Sequence, residues 1–182
     1  MPPGDSPALS HGAAELAGSS KVPVTLVVLA IVLILDNVTK LWVVQNFTLY
    51  DQVPVIGEFF RLTYTHNRGA AFGIDVGEYS RVFFLILSLV ALGVLGVIYR
   101  STPAADRMRI FALSLVAGGA LGNIIDRVRF ERGVVDFLDF GIGTSRFPVF
   151  NVADTAVSIG ACLLLISFYR EGRREQQEEA AE

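Results

Sequence analysis

Four long apolar segments constrain this chain more than any other feature of its sequence. They cover approximately residues 22–44, 82–99, 110–125 and 147–169. A helix needs about 20 residues to cross a hydrocarbon core of about 30 Å, and these segments suffice, the third with its flanking residues. Only 18% of the 182 residues are charged, whereas soluble domains carry about 25%. We therefore predict an all-α integral membrane protein, a four-transmembrane-helix bundle.

The segments outside the spans are polar or of low complexity. Residues 1–21 are rich in Pro, Gly, Ala and Ser and are predicted to be a disordered tail, and residues 171–182 a charged tail, which leaves 22–170 as the membrane domain. The first span is too long for a signal peptide, has only Lys21 before it and lacks an A-x-A site. We expect it to be retained.

Two long connections, about 45–81 and 126–146, lie on one side of the predicted bundle, and a short one, about 100–109, lies on the other. The segment VPVIGEFFRLTYT in the first connection mixes β-branched and aromatic residues between Pro and Gly. This pattern favours a short strand or hairpin, and a plain surface loop is the alternative. We predict a small β-containing extramembrane element on this side.

The charged residues and asparagines within the spans are confined to one side of the membrane. They lie late in the first span, at the end of the third and early in the fourth. Successive spans alternate in direction, so these positions converge beside the two long connections. Polar groups at membrane depth are costly and often mark function. The converging residues are Asp36, Asn37, Thr39, Lys40, Asn123, Asp126, Arg127, Asn151 and Asp154.

Several of these residues have a structural interpretation beside a functional one. Asp36 and Lys40 are four residues apart, so they lie on one helical face and can pair. Either a structural ion pair or direct contact with substrate fits this spacing. Asp126 with Arg127 at a helix end is more often structural. The spacing of Gly118 and Gly122, with Gly119 between them, predicts close approach of a neighbouring helix.

Composition argues against several classes of protein. Cys162 is the one cysteine, and His11 and His66 are far apart, so neither a disulfide nor a zinc site of the H-E-x-x-H kind is predicted. The net charge of −3 comes without a basic stripe, which argues against nucleic acid. We predict no metal and no cofactor. Arginine and lysine are divided seven against seven between the two sides, so the positive-inside rule does not set the orientation.

Five motifs, in order from about residue 35 to 158, resemble those of the bacterial lipoprotein signal peptidase family, also called signal peptidase II. They are D-N-V-T-K at 36–40, H-N-R-G-A-A-F-G at 66–73, G-G-A-L-G-N-I-I-D-R at 118–127, V-V-D-F at 134–137 and F-N-V-A-D-T at 150–155. Any one of these is weak alone, but five in order are specific.

The resemblance implies an aspartic endopeptidase with Asp136 and Asp154 as its catalytic pair. It implies a prolipoprotein substrate with a diacylglyceryl group on the Cys after the cleavage site. It also implies an inner-membrane protein with cytoplasmic termini and an extracytoplasmic active site, and we expect a monomer among membrane lipids. The residues implied to bind substrate or support the site are Asp36, Lys40, Asn67, Gly69, Ala70, Asn123, Asp126, Arg127, Asn151 and Ala153.

Two close carboxylates can hydrolyse a peptide bond without a metal or a nucleophilic side chain. Like charges cannot both ionise cheaply, so the pair shares one proton, and one member activates water while the other protonates the carbonyl oxygen. The sequence does not assign the proton to either. Physical reasoning ranks Asp154 first, because it lies in an apolar span without an adjacent cation, and does not separate Asp136 from Asp139. Asp36, Asp75 and Asp126 are the other rival carboxylates.

Two other functions compete with a peptidase. A proton- or cation-coupled transporter would use Asp36, Lys40 and Asp154 as an ion path, but the other half of every span is apolar. A non-catalytic scaffold would leave the one-sided polar cluster unexplained.

Overall fold

Four long helices make up most of the protein. The computed structural model describes residues 20–69 and 77–180. The helices are α1 (Val22–Asn46), α2 (Ser80–Ser101), α3 (Arg107–Arg129) and α4 (Val152–Glu179), and a single 3-10 turn, Gly77–Tyr79, precedes α2. In the described part of the chain, these four are long and apolar enough to cross a membrane. The predicted four-helix membrane protein is confirmed.

The largest differences from the predicted bounds are at the two ends of α4. The helix begins at Val152 rather than at 147, because Asn151 caps it. The Asn151 side chain accepts a hydrogen bond from the Asp154 N–H (2.9 Å), and the Asp154 carboxylate accepts one from the Asn151 N–H (3.2 Å). The helix ends at Glu179, so it includes most of the segment expected to be a charged tail. Residues 1–19 of the predicted N-terminal tail lie outside the described residues.

The outer surfaces of the helices are apolar. Leu26, Ile34, Val97 and Leu165 are each at least 60% exposed. No residue in the most apolar stretch of α2 is buried. Helix surfaces with so many exposed apolar side chains are unfavourable in water and favourable in a hydrocarbon core. The helices therefore turn their apolar side chains towards lipid.

Helix α3 is central and packs against each of the other three. Its glycines allow α1 and α4 to come close. A Cβ atom on Gly119 would lie 2.3 Å from the carbonyl oxygen of Ala153, and one on Gly122 would lie 2.6 Å from Oδ2 of Asp36. Both distances are too short for real atoms, so only glycine fits. The interpretation of this glycine cluster as a helix-packing face is confirmed.

A four-stranded antiparallel sheet covers one end of the bundle. Its order is β1 (Gln52–Ile56), β2 (Phe60–Asn67), β3 (Val134–Ile142) and β4 (Ser145–Arg146). The hairpin predicted in the first connection is therefore confirmed as β1–β2. The second connection also enters the sheet, as β3 and β4, which the sequence analysis did not anticipate.

A small apolar core fixes the sheet to the helices. Val43 near the end of α1 packs with Tyr64 of β2 and with Val135 and Phe137 of β3, all of them buried. Val135 and Phe137 are two residues apart, so they share one face of the strand. Asp136 between them must therefore point to the opposite face.

Candidate active site

Asp136 lies in the middle of β3 and is 2% exposed. Its Oδ1 accepts a hydrogen bond of 2.7 Å from Nδ2 of Asn151, and the Asn67 side chain donates a further one. Thr65 is its partner residue on β2, after a bulge that follows Leu62. Asp136, expected in the connection after the third span, is thus held on a strand by residues of two other elements.

Asp139, the rival carboxylate, occupies a different environment. It is three residues from Asp136 on the same strand, so alternation puts the two side chains on opposite faces. Asp139 accepts hydrogen bonds from the Thr63 hydroxyl (2.7 Å) and from Nε of Arg146 (2.6 Å), with Nε of Arg61 at 3.5 Å. Burial acts to raise the pKa of Asp139, but the Thr63 and Arg146 hydrogen bonds and the two cations outweigh it and lower the pKa. Asp139 is therefore ionised and paired with Arg146 and Arg61.

Asp154 is the third residue of α4, one turn from Asn151. Its Oδ1 accepts a 2.8 Å hydrogen bond from Nδ2 of Asn123, and its Oδ2 accepts the N–H of Asn151. The sequence analysis ranked Asp154 first as a buried carboxylate. The expected burial needs correction, because Asp154 is partly exposed at the helix start while Asp136 is almost fully buried.

Two asparagines connect the two carboxylates. Asn151 is fully buried, donates to Asp136 through Nδ2 and accepts the Asp154 N–H through Oδ1. Asn123 accepts from Nδ2 of Asn151 (3.1 Å) through Oδ1 and donates to Asp154 through Nδ2. The structure therefore brings Asp136 and Asp154 to one site and fixes both through the same pair of amides.

The Lys40 ammonium lies directly behind these asparagines. It is 2.7 Å from Oδ2 of Asp36, 3.0 Å from Oδ2 of Asp126 and 3.1 Å from Oδ1 of Asn123. The first two contacts are ion pairs and the third is a hydrogen bond. Asp36, Lys40 and Asp126 are each at most 2% exposed. Of the two interpretations left open for Asp36 and Lys40, this geometry favours the structural one, because their charged groups have no free side for a substrate.

The two acidic partners of Lys40 also bind backbone. Oδ1 of Asp36 accepts the N–H of Ala153 at 2.9 Å, in the first turn of α4. Oδ2 of Asp126 accepts the N–H of Val135 at 3.1 Å, next to Asp136. The ion cluster therefore sets the backbone positions immediately before Asp154 and Asp136.

Three further predicted residues, Asn67, Gly69 and Arg127, adjoin these groups. Arg127 donates to the Asn123 carbonyl (3.1 Å), and the Asn67 side chain accepts the Gly69 N–H (2.8 Å).

Gly69 has φ of +125°, and a Cβ there would lie 2.0 Å from the ring of Phe84, so a side chain is excluded on both counts. Phe84 also lies 6.0 Å from the Arg127 guanidinium. Phe84 lies in an apolar run of the sequence, so the sequence analysis had no reason to place it at the site. Ala70 and Asp75 lie outside the described residues.

The environment of Asp136 favours its protonated form. Burial is the main cause, the charge of Asp154 adds to it, and together they outweigh the hydrogen bonds from Asn67 and Asn151 and raise the pKa of Asp136 to about 8. Across the described residues, no three His, Cys, Asp or Glu side chains converge as metal ligands would. The site can thus hold the Asp136 carboxyl group protonated at neutral pH.

Comparison with known proteins assigns this chain to a family. Residues 28–170 match the family model described as signal peptidase (SPase) II. The chain belongs to the signal peptidase II family. It is therefore a membrane peptidase, which decides against the transporter and scaffold hypotheses.

Relatives and solved structures agree with the family model. The lipoprotein signal peptidase of Maridesulfovibrio salexigens is 40% identical over 79% of this chain and 94% of its own length. That of Geobacter sulfurreducens is 44% identical over 79% and 89%. A bacterial membrane enzyme solved by the in meso method at 2.3 Å is 35% identical, with a TM-score of 0.72 over 81% of this chain and 88% of that one.

We predict that Lys40→Met destabilises the protein by about 3–5 kcal/mol, because it leaves two buried carboxylates without a counterion. The measurement is the thermal midpoint of the purified, detergent-solubilised chain. The matched control adds Asp36→Asn and Asp126→Asn to Lys40→Met and so removes the negative charges as well. We expect this triple variant to recover part of the lost stability. A triple variant less stable than Lys40→Met would contradict a role in charge compensation.

Proposed function

We propose that this protein is an aspartic endopeptidase that removes the signal peptide from diacylglyceryl-modified prolipoproteins, on the N-terminal side of the lipidated Cys. The observation that carries the proposal is the pairing of Asp136 with Asp154 through Asn151, with burial holding the proton on Asp136. The names of the relatives, lipoprotein signal peptidases, support the substrate class.

In the proposed first step, Asp154 acts as the base and Asp136 as the acid. Two N–H groups donate to the Asp154 carboxylate, from Asn123 and Asn151, and it lies in the first turn of α4, where the helix dipole favours a negative charge. Asp154 removes a proton from water, whose oxygen attacks the scissile carbonyl carbon. Asp136 gives its proton to the carbonyl oxygen, and a neutral gem-diol forms.

The second step reverses both roles. Asp154, now protonated, donates its proton to the amide nitrogen as the C–N bond breaks. Asp136, now ionised, accepts a proton from one gem-diol hydroxyl, which becomes the carbonyl of the new carboxyl terminus. Both carboxyl groups return to their starting states. Asn151 and Asn123 hold the pair throughout, and Arg127, whose charge interacts with both Asp136 and Asp154, is placed to stabilise the negative charge that the pair carries.

The position of the pair suits a lipid-anchored substrate. Asp154 lies one turn inside α4, and Asp136 lies in the sheet that covers that end of the bundle. A diacylglyceryl group can stay in the lipid while the adjacent peptide bond reaches this level. Each buried CH₂ adds about 0.8 kcal/mol to membrane partitioning, so enzyme and substrate meet by lateral diffusion. No cofactor is needed for this chemistry, and a single chain holds both carboxylates.

We further propose that the sheet faces the extracytoplasmic side of the bacterial inner membrane and that both termini are cytoplasmic. Signal peptides are removed from proteins after translocation, which requires an external active site. Glu58 in the β1–β2 turn is exposed and is a suitable reporter. A Glu58→Cys variant in a Cys162→Ala background should react with a membrane-impermeant maleimide on cells whose outer membrane has been opened. Reaction only after the inner membrane is lysed would reverse the assignment.

We predict that Asp136→Asn and Asp154→Asn each lower cleavage of a lipid-modified precursor about 100-fold or more while the protein stays folded, because each removes a proton-transfer group. The assay uses purified protein and measures initial rates. Asp139→Asn is the matched control, since this Asp lies on the same strand but on the opposite face. It should keep most of the activity per folded molecule. Normal cleavage by Asp136→Asn, or loss of activity only in Asp139→Asn, would overturn the assignment.

We predict that cleavage activity falls as pH rises through about 8. The pKa of Asp136 is raised, so the proton required on the acid is present below this pH and is lost above it. Asn67→Ala provides the internal test. The Asn67 hydrogen bond stabilises the ionised form of Asp136, so its removal should move the alkaline decline to higher pH. An alkaline decline that moves to lower pH in this variant would contradict the protonated role of Asp136.

A further inference from the structure

A cavity of about 640 Å³, lined mostly by charged residues, lies at the opposite end of the bundle from the candidate active site. One wall is the α2–α3 connection with the first turn of α3. The other wall is one face of α4, formed by Ser167, Arg170, Glu171 and Arg174. These α4 residues follow the i, i+3, i+4, i+7 spacing of a single helical face. The proposed peptidase mechanism uses none of them.

The cavity lies at the level where the hydrocarbon core ends. At about 1.5 Å per residue, Ser167 lies roughly 23 Å and Arg174 roughly 33 Å along α4 from Val152. A hydrocarbon core is about 30 Å thick, so these residues cover the boundary between acyl chains and headgroups. The exposed ring of Tyr169 on α4 is at the same level, as expected for an interfacial aromatic residue.

The cavity is preformed because Arg109 joins its two walls. Arg109 is 9% exposed, and its guanidinium binds Oγ of Ser167 (3.1 Å), Oε2 of Glu171 (2.8 Å) and Oδ2 of Asp106 (3.2 Å). Its guanidinium carbon also lies 4.9 Å from the ring centre of Phe168. One guanidinium thus holds the first turn of α3 against α4.

The charged groups that line the cavity leave a positive excess of one. Four arginines oppose three carboxylates, and 4 − 3 = +1. Arg109 already lies between two of the carboxylates. The arginines are Arg107, Arg109, Arg170 and Arg174, and the carboxylates are Asp106, Glu171 and Glu175.

Arg170 and Arg174 are the residues best placed to bind a ligand. They are four residues apart on α4, where like charges repel each other. Within the described residues, Arg174 has no ion pair or side-chain hydrogen bond, and Arg170 has only a 4.0 Å contact to the weak acceptor Sδ of Met108. An anion between them would relieve this repulsion.

We propose that this cavity binds the phosphate of an anionic phospholipid headgroup. A lipid phosphodiester carries one negative charge, which matches the excess of one positive charge in the cavity. Its phosphate stands at the boundary level that the cavity occupies, and guanidinium groups bind phosphate oxygens well. Basic cavities between the ends of membrane helices are suited to such headgroups. The site is separate from the peptidase site and holds a lipid that is not a substrate.

Native mass spectrometry of the full-length, detergent-solubilised protein tests this proposal. The protein is titrated with phosphatidylglycerol and, in parallel, with phosphatidylcholine, whose headgroup has no net charge. We expect one phosphatidylglycerol to bind more tightly than phosphatidylcholine. Arg170→Gln with Arg174→Gln should weaken that binding roughly 25-fold, or about fivefold for each arginine removed.

Arg173→Gln is the matched control, because Arg173 lies on the same helical stretch but does not line the cavity and instead donates to the Tyr169 hydroxyl. It should bind phosphatidylglycerol as the unmodified protein does. Arg107→Gln removes a charge from the opposite wall and should weaken binding about fivefold. Equal affinity in all variants, equal binding of both lipids, or displacement of the lipid by excess inorganic phosphate would each overturn the proposal.

Discussion

The geometry of the site depends on the contacts of the buried Lys40 ammonium group. It binds Asp36 on its own helix and both Asp126 and Asn123 on α3. Asp36 in turn binds the backbone of α4 before Asp154, and Asp126 binds the backbone of β3 before Asp136. Because a buried charge must be paired, these contacts cannot be lost one at a time without a large cost. This cluster of contacts therefore keeps the two acidic residues of the site, Asp136 and Asp154, close together.

The strand register then selects which carboxyl group joins Asp154. Val135 and Phe137 pack on the apolar core with Val43, so Asp136 must face the asparagines. Asp139, on the other face, is bound by Thr63 and Arg146 and stays ionised. The same strand thus carries one carboxyl group that keeps its proton and one that does not. Burial is the main reason that Asp136 keeps its proton. The hydrogen bonds from Thr63 and Arg146, together with the nearby cations, are the reason that Asp139 loses it.

The two ends of the bundle use charge in different ways. At the end covered by the sheet, the Lys40 ammonium group is buried and holds the side chains of Asp36, Asp126 and Asn123 in place. At the other end, Arg109 fixes two helices, while Arg170 and Arg174 remain exposed at the headgroup level. Between these ends the helices are held by apolar contacts and by the close approach at Gly119 and Gly122. This division follows from the membrane, which allows polar groups at low cost near its surfaces.

The sequence by itself determined the four spans and the single polar side, because apolar length and charge placement are local properties. It also predicted the β1–β2 hairpin and the pairing of Asp36 with Lys40. It could not predict strand β3 or separate Asp136 from Asp139 by physical reasoning, since facing direction depends on pairing with β2 and packing on Val43. It also led us to expect a buried Asp154, whereas Asp154 is partly exposed and Asp136 is almost fully buried. Only tertiary structure decides these points, because long-range contacts set which side chain loses its water and which gains a partner.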